Sequence, residues 1–389
     1  MIFREAIESI GTQRLRVRNP YYLSLVLGLA LLLGGAPEAR ARDELTLRFL
    51  PAPLGSNAES INKKSQIVGD NGDLPAFWAG PDATTLIVLP VPPGPFGSYG
   101  VANSINDKDQ IVGSSVGEAG FLPVFWEGPD ATAATMLPVP SGPFSPSGAA
   151  MSINDKGQIV GSIVGQIGDA TANLPAFWEG PNATAPTMLP VPSGPFTPSG
   201  FALSINKKGQ IVGGAVGLPV FWAGPDATAS TILPVPTGPF MPTGVAASIN
   251  EKGQIVGNVV GQIGELSAYL PAFWAGSDAA SPTILPFPSF APGPFGAGGG
   301  SAHEINDKGQ IVGYVLQDGS LFGVPYPVPA PVLWEGPDAA APTFLPLPPG
   351  PFSYPVGYAR GINDKGQIVG LANYRAALWA EERTESNQE

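Results

Sequence analysis

The chain has 389 residues, 43% of them hydrophobic and only 13% charged, with a formal net charge of −12, no cysteine and a single histidine. An acidic, sparsely charged chain lacks the basic footprint of a nucleic-acid binder. The missing residue types exclude a disulfide framework, a thiolate nucleophile and a His/Cys zinc centre within one chain.

The first segment, residues 1–41, reads as a secretory signal. Arg14, Arg16 and Arg18 precede the apolar run LSLVLGLALLLGG from Leu23 to Gly35, and Ala39-Arg40-Ala41 follows as a small-residue cleavage site. The run is shorter than the ~20 residues of a membrane helix. The expectation is an exported chain (secreted, periplasmic or at the cell surface) with no membrane span after cleavage near Ala41. Retention as an uncleaved anchor, with Tyr21 and Tyr22 at the interface, is the alternative.

Beyond Ala41 the chain repeats. Ile-Asn pairs begin at 61, 105, 153, 205, 249, 305 and 362, most within a stretch close to INDKGQIVG. Each is followed by one of the seven tryptophans: Trp78, Trp126, Trp178, Trp222, Trp274, Trp334 and Trp379. Such spacing is the signature of a solenoid or propeller. Each unit divides into four strands: a small apolar one such as GAAMSIN, then QIVG after a DKG turn, then LPAFW or LPVFW, then LPVP. The turn suits a tight hairpin, with Asn bonding nearby backbone and Gly accepting positive φ. Glycine and proline, 51 and 46 residues, therefore read as turn chemistry rather than disorder.

Prolines two apart, such as Pro138 and Pro140, remove donors from one edge only, which places LPVP at the outer rim of each sheet. The last unit lacks this strand, because only AEERTESNQE follows Trp379. The N-terminal LTLRFLPAP supplies the missing copy, with Pro51 and Pro53 in the same phase. The sequence thus predicts an all-β fold: a seven-bladed β-propeller over residues 42–380, four antiparallel strands per blade, closed by the N-terminal strand pairing in the C-terminal blade. Residues 381–389 form a polar tail expected to be disordered.

The pattern IN-x-x-GQIVG, followed by a small-aromatic-Trp strand and a Leu-rich strand, resembles the HAF-repeat family of extracellular repeat proteins. Ser65 and Asp109 replace the turn glycine in the first two units, and Pro175-Ala176-Phe177 stands where His-Ala-Phe would be. The resemblance implies an extracellular repeat β-propeller and assigns no activity.

Seven equivalent Asn residues, from Asn62 to Asn363, and seven Gln residues, from Gln66 to Gln367, point to turn capping rather than one active site. The turn acids Asp107, Asp155, Glu251, Asp307 and Asp364 each precede a lysine, which argues against a calcium loop. All nine lysines fall in these turns. Acids after each tryptophan, among them Asp82, Glu127, Glu179 and Glu335, are expected to offset them. His303 reads as an incidental surface or loop residue.

Between QIVG and the third strand the inserts vary from 4 to 17 residues, and specificity commonly resides in loops that vary on a constant scaffold. The longest insert, Tyr314 to Ala330, carries Tyr314, Asp318, Phe322 and Tyr326. The repeated GPF connections bring Phe96, Phe144, Phe196, Phe240, Phe295 and Phe352 to the same face, as plugs between blades or, for Phe144, Phe196 and Phe240, as an aromatic platform. Asp70, Asp73, Glu118, Asp169 and Glu265 join Asp318 as candidate acids there. No catalytic triad, nucleotide-binding glycine pattern or metal-ligand spacing is present, so no cofactor or metal is expected. The reading is a monomeric, non-enzymatic scaffold that binds a glycan or another extracellular protein through the variable-loop face. The alternative is a glycoside hydrolase or lyase using loop carboxylates.

Overall fold

The structure, a computed structural model, describes residues 45–92, 99–117, 120–140, 147–167, 170–193, 198–237, 242–263, 266–288, 298–321, 324–349 and 355–382. The signal segment and the tail beyond residue 382 lie outside them. Leu45–Glu389 forms one compact unit. Its described residues build seven four-stranded antiparallel sheets, the blades of a propeller. Blades 1 to 7 begin with the inner strands Asn57–Ile61, Gly100–Ile105, Gly148–Ile153, Gly200–Ile205, Gly244–Ile249, Gly300–Ile305 and Gly357–Ile362. The closing strand is as expected: Leu45–Phe49 pairs antiparallel with Arg375–Glu381, from Leu45↔Glu381 to Phe49↔Ala377.

The core consists of seven interfaces between blades rather than one central mass. In each, Val, Phe (or Leu) and Leu of one blade meet Ala, Ile and Trp of the next, as Val212, Phe221 and Leu233 meet Ala246, Ile249, Ile255 and Trp274. All seven tryptophans are fully buried. Each donates its indole N–H to a proline carbonyl of the preceding blade, from Trp78 Nε1 to Pro51 O (3.2 Å) through Trp379 Nε1 to Pro346 O (2.8 Å). A buried indole needs such a partner.

This corrects the reading of LPVP as the rim strand. The rim strands are the dipeptides before it, such as Thr135–Met136 and Thr231–Ile232. The leucine of Leu-Pro makes one last backbone bond to the third strand, as Leu137 N donates to Pro123 O at 2.9 Å, and the pairing ends at the proline, which cannot donate to a ladder. Its leucine enters the core (Leu137 and Leu233 are 2% and 0% exposed), and its proline carbonyl receives the tryptophan.

The variable inserts are not loose loops but extensions of the middle hairpin. The second strand is Ile159–Ile167 in blade 3, Ile255–Ile263 in blade 5 and Ile311–Leu321 in blade 6. In blades 1, 4 and 7 it is only Ile67–Asp70, Ile211–Ala215 and Ile368–Ala372. Blade 2 is intermediate, with Ile111–Gly117. At ~3.3 Å per residue the second strands of the tall arms are roughly 13–23 Å longer than those of the short blades.

Candidate functional site

The two ends of the central channel differ in kind. On the turn face, each repeated Asn accepts from the backbone N–H of the Gln four residues on, for example Gln158 N to Asn154 Oδ1 at 3.0 Å. Its Nδ2 donates to that Gln side chain and also to the backbone carbonyl of the next blade's Asn. The second bond recurs round the ring, from Asn62 to Asn106 and finally from Asn363 back to Asn62 at 3.1 Å. The capping role expected for these residues is observed, with a link between blades added to it.

The residue after each Asn forms a second hoop. Asp107, Asp155, Glu251, Asp307 and Asp364 accept the backbone N–H of the equivalent residue one blade back. Where the next blade carries lysine instead, the ammonium reaches back. Lys63 Nζ lies 2.9 Å from Asp364 and 3.1 Å from Asp307, and Lys207 Nζ lies 2.6 Å from Asp155. Burial opposes ionisation of Asp155, yet the Lys207 hydrogen bond and the Asp107 N–H outweigh it and hold the carboxyl below its usual range. Among the described residues Lys63, Lys64 and Lys207 pair with turn acids, Lys64 Nζ lying 2.7 Å from Asp109. A cavity of about 170 Å³ lies within these hoops, but its polar groups are largely committed to one another.

Further along the channel the repeats diverge. On the inner strands the alanine that follows the first variable position is fully buried in every blade, so its neighbours turn to the opposite side, along the channel wall. A register shift after this alanine occurs in all seven inner strands, so the next residue stands outside the ladder. In blades 3, 4 and 5 that residue is Met151, Leu203 and Ala247, and in blade 2 it is Asn103. In blades 6, 7 and 1 it is His303, Arg360 and Glu59.

These three side chains assemble a polar cluster across two blade boundaries. His303 Nδ1 lies 2.8 Å from the carbonyl of Ala359, so Nδ1 carries the proton and Nε2 is the basic nitrogen. Burial, with the nearby Arg360 cation, lowers the imidazole pKa to about 4. The His303 ring packs 5.5 Å from Tyr314, and Tyr314 meets Tyr358 edge-on at 5.0 Å. Arg360 lies over the Tyr358 ring at 5.4 Å, with its Nε 3.9 Å from Glu59 Oε2. That Nε is enclosed and has no hydrogen-bond partner. Burial raises the Glu59 carboxyl against the pull of Arg360, with Asp70 adding to the rise. Asp70 in turn accepts from Gly72 N at 2.8 Å and from Asn57 Nδ2 at 3.2 Å.

Glu304, beside His303, replaces the serine of blades 1 to 5. Ser104, Ser152 and Ser204 each accept the N–H of the next blade's isoleucine at 3.3–3.4 Å. Glu304 Oε2 makes the same bond to Ile362 N at 2.9 Å. A Cβ on residue 361 would lie 3.0 Å from that oxygen, so the larger acid goes together with Gly361. Burial pushes the Glu304 carboxyl up to about 8.

Of the residues singled out by sequence, Tyr314 and Asp70 belong to this cluster, and Glu118 lies outside the described residues. Asp318 and Tyr326 stand on the blade 6 hairpin, opposite Pro327 and Gly319, with side chains outside the described set. Phe322, Asp169, Glu265, Phe144, Phe196 and Phe240 lie outside the described residues, as do the other GPF phenylalanines. His303 is corrected: it sits on an inner strand within the channel wall, not on a loop. Sequence reasoning also passed over Glu304, Tyr358, Arg360 and Glu59. Their signal was available as departures inside the repeated stretch, where SIN becomes EIN in blade 6 and GIN in blade 7.

No family model matches the chain and no curated protein matches it. Among solved structures it is similar to YCF48 bound to D1 peptide, with a TM-score of 0.49 and 12% identity over 90% of this chain and 99% of that one. It is also similar to a streptogramin B lyase structure, with a TM-score of 0.41 and 12% identity over 88% of this chain and all of that one.

Proposed function

We propose that the protein is an exported, monomeric, non-enzymatic binding module that contacts its ligand through the variable-loop face. The observation that carries this reading is where repetition breaks. The turn face is held in near-identical copies whose polar groups bond one another, whereas arm height and channel-wall chemistry change from blade to blade at the other end. Binding specificity accumulates where a constant scaffold varies. Export rests on the basic, apolar and small-residue order of residues 1–41, and membership of the HAF-repeat family rests on the GQIVG pattern. In six of the seven blades the rim strand is two residues long and followed at once by Leu-Pro, which gives little edge for self-association, in keeping with a monomer.

The reading is tested by probing the purified protein against glycan and peptide arrays, with bound probes re-examined for cleavage. Binding without turnover is the expected result. Release of new reducing ends would instead establish a polysaccharide-acting enzyme, and the absence of binding to either array would sink the module.

A further inference from the structure

We propose that the variable-loop face carries a trough for one neutral, linear polysaccharide chain, running from blade 4 across the channel mouth to the junction of blades 7 and 1. The proposal rests on the binding reading above and names its ligand class.

The relief comes from strand lengths alone. In a seven-membered ring, blade 4 lies opposite the junction of blades 7 and 1, and these are the three short blades. Blades 2 and 3 form one wall and blades 5 and 6 the other. Among the described residues, two low points facing each other across a channel mouth, between two raised flanks, make an open-ended path. A chain can enter and leave such a path, whereas a compact ligand would need an end wall.

The two ends offer complementary halves of sugar recognition. At blade 4 a cleft of about 140 Å³ is lined by Phe201, Val216 and Val245. Gly214 keeps it open to the ring, because a Cβ there would lie 2.9 Å from Phe201 Cζ. At the other end stand Tyr358, the paired Asn57 and Asp70, and the half-exposed Arg360 side chain beside Glu59. Tyr374 is 48% exposed at the tip of blade 7. A pyranose has an apolar C–H face that stacks on aromatic rings and a rim of hydroxyls suited to planar amide, carboxylate and guanidinium groups. The exposed tyrosines of the described residues, Tyr99, Tyr269 and Tyr374, all belong to this end of the blades.

Charge and backbone narrow the class. Glu59, Asp70 and Asp73 outnumber Arg360 and Arg375 at the polar end, which disfavours a polyanionic chain. An extended peptide would seek an open strand edge. The third strand of blade 6, Val324–Trp334, carries Pro325, Pro327, Pro329 and Pro331 at alternate positions, so its outer edge has no N–H to offer there.

The experiment is calorimetric titration of the full propeller with unbranched neutral gluco- and xylo-oligosaccharides of two to eight units, and with neutral peptides of matching length. Affinity for one glycan series should rise with chain length. Phe201→Ala and Arg360→Gln should each weaken binding tenfold or more, and Tyr374→Ala, a change at an exposed tip that spares the core, by about threefold. Lys108→Ala on the opposite face should bind as the unmodified protein does. Length-independent affinity, or glycan binding insensitive to all three changes, would overturn the trough while leaving a binding module in place. Peptide binding that these variants abolish would overturn the ligand class, and failure of every probe on both arrays would remove the underlying reading.

Discussion

Gly213 shows at the residue scale why the glycine of QIVG never varies. Its φ is unexceptional, but a Cβ there would overlap the carbonyl oxygen of Phe201 on the inner strand, and the other six copies meet the same obstacle. The turn glycine Gly209 differs, adopting φ +86° in open surroundings. Ser65 and Asp109 take the equivalent turn position at φ 73° and 71°, so that site tolerates a side chain at modest strain. Gly213→Ala should therefore cost on the order of 3 kcal/mol, and Gly209→Ala about 1 kcal/mol. Urea unfolding of the two variants decides the matter, and equal losses would refute the contact argument. The same scale holds the pH response. His303 is lowered from 6.5 to about 4, so the unfolded chain binds a proton the fold refuses, and stability falls as pH drops from 6.5 to 4. Glu304 is raised from 4.5 to about 8, so the fold holds a proton the unfolded chain releases, and stability falls as pH rises from 4.5 to 8. The two slopes cancel between 4.5 and 6.5 and act separately outside that window. Glu304→Gln keeps an acceptor for Ile362 N–H and should raise the melting temperature at pH 8 relative to pH 5.5. An unchanged difference would show that the carboxyl ionises freely in the fold.

Among elements, the closing strand has the most work per residue. Leu45–Phe49 completes the blade 7 sheet, Leu50 enters the core at 2% exposure, and Pro51 O receives Trp78. Removing residues 42–55 would leave the outer edge of the third strand of blade 7 unpaired, the blade 7–1 core without Leu50 and a buried indole without an acceptor. Loss of a single cooperative melting transition is the expected outcome, followed by circular dichroism. A truncated chain that melts as sharply and as high as the full one would refute closure. This element was legible in sequence because it is local: Leu-Pro at the N-terminus matches the copy missing after Trp379. The rim strand was misplaced for a reason equally local. The prolines marked the outer edge correctly, but a residue that cannot donate ends a strand rather than forming one, and the paired dipeptides just before it carry no such marker. The arms were counted as loops because their inserts differ in composition, and only register reveals that Ile159–Ile167 pairs to its end with Ala170–Trp178. The channel cluster was legible only as scattered departures from the repeat, since Arg360 and Glu59 are 301 positions apart in the chain and meet only once the ring has closed.

For the whole molecule, the question is whether seven similar units behave as an array or as one body. Units in an open array contact only their neighbours, so end units lack half their interfaces and fray first. Here no unit is terminal. The Asn hoop passes from Asn363 to Asn62 as it does between any other pair, and the tryptophan of blade 1 bonds blade 7 as each other tryptophan bonds its predecessor. Each interface holds one fully buried tryptophan, so the seven indoles report on seven equivalent contacts. Trp78→Phe, at the closure, and Trp222→Phe, across the ring, remove the same hydrogen bond and similar packing. Both should lower stability by roughly 1–3 kcal/mol and by the same amount within error. Fluorescence of the remaining indoles should also coincide with the far-ultraviolet transition in each variant, because opening one interface unlocks the hoops on the turn face. An array predicts otherwise: Trp78→Phe would release an early transition confined to the terminal blades, while Trp222→Phe would split the melt into two halves. A chain that unfolds in such steps would be a solenoid bent into contact with itself, and coincident transitions would make it a ring.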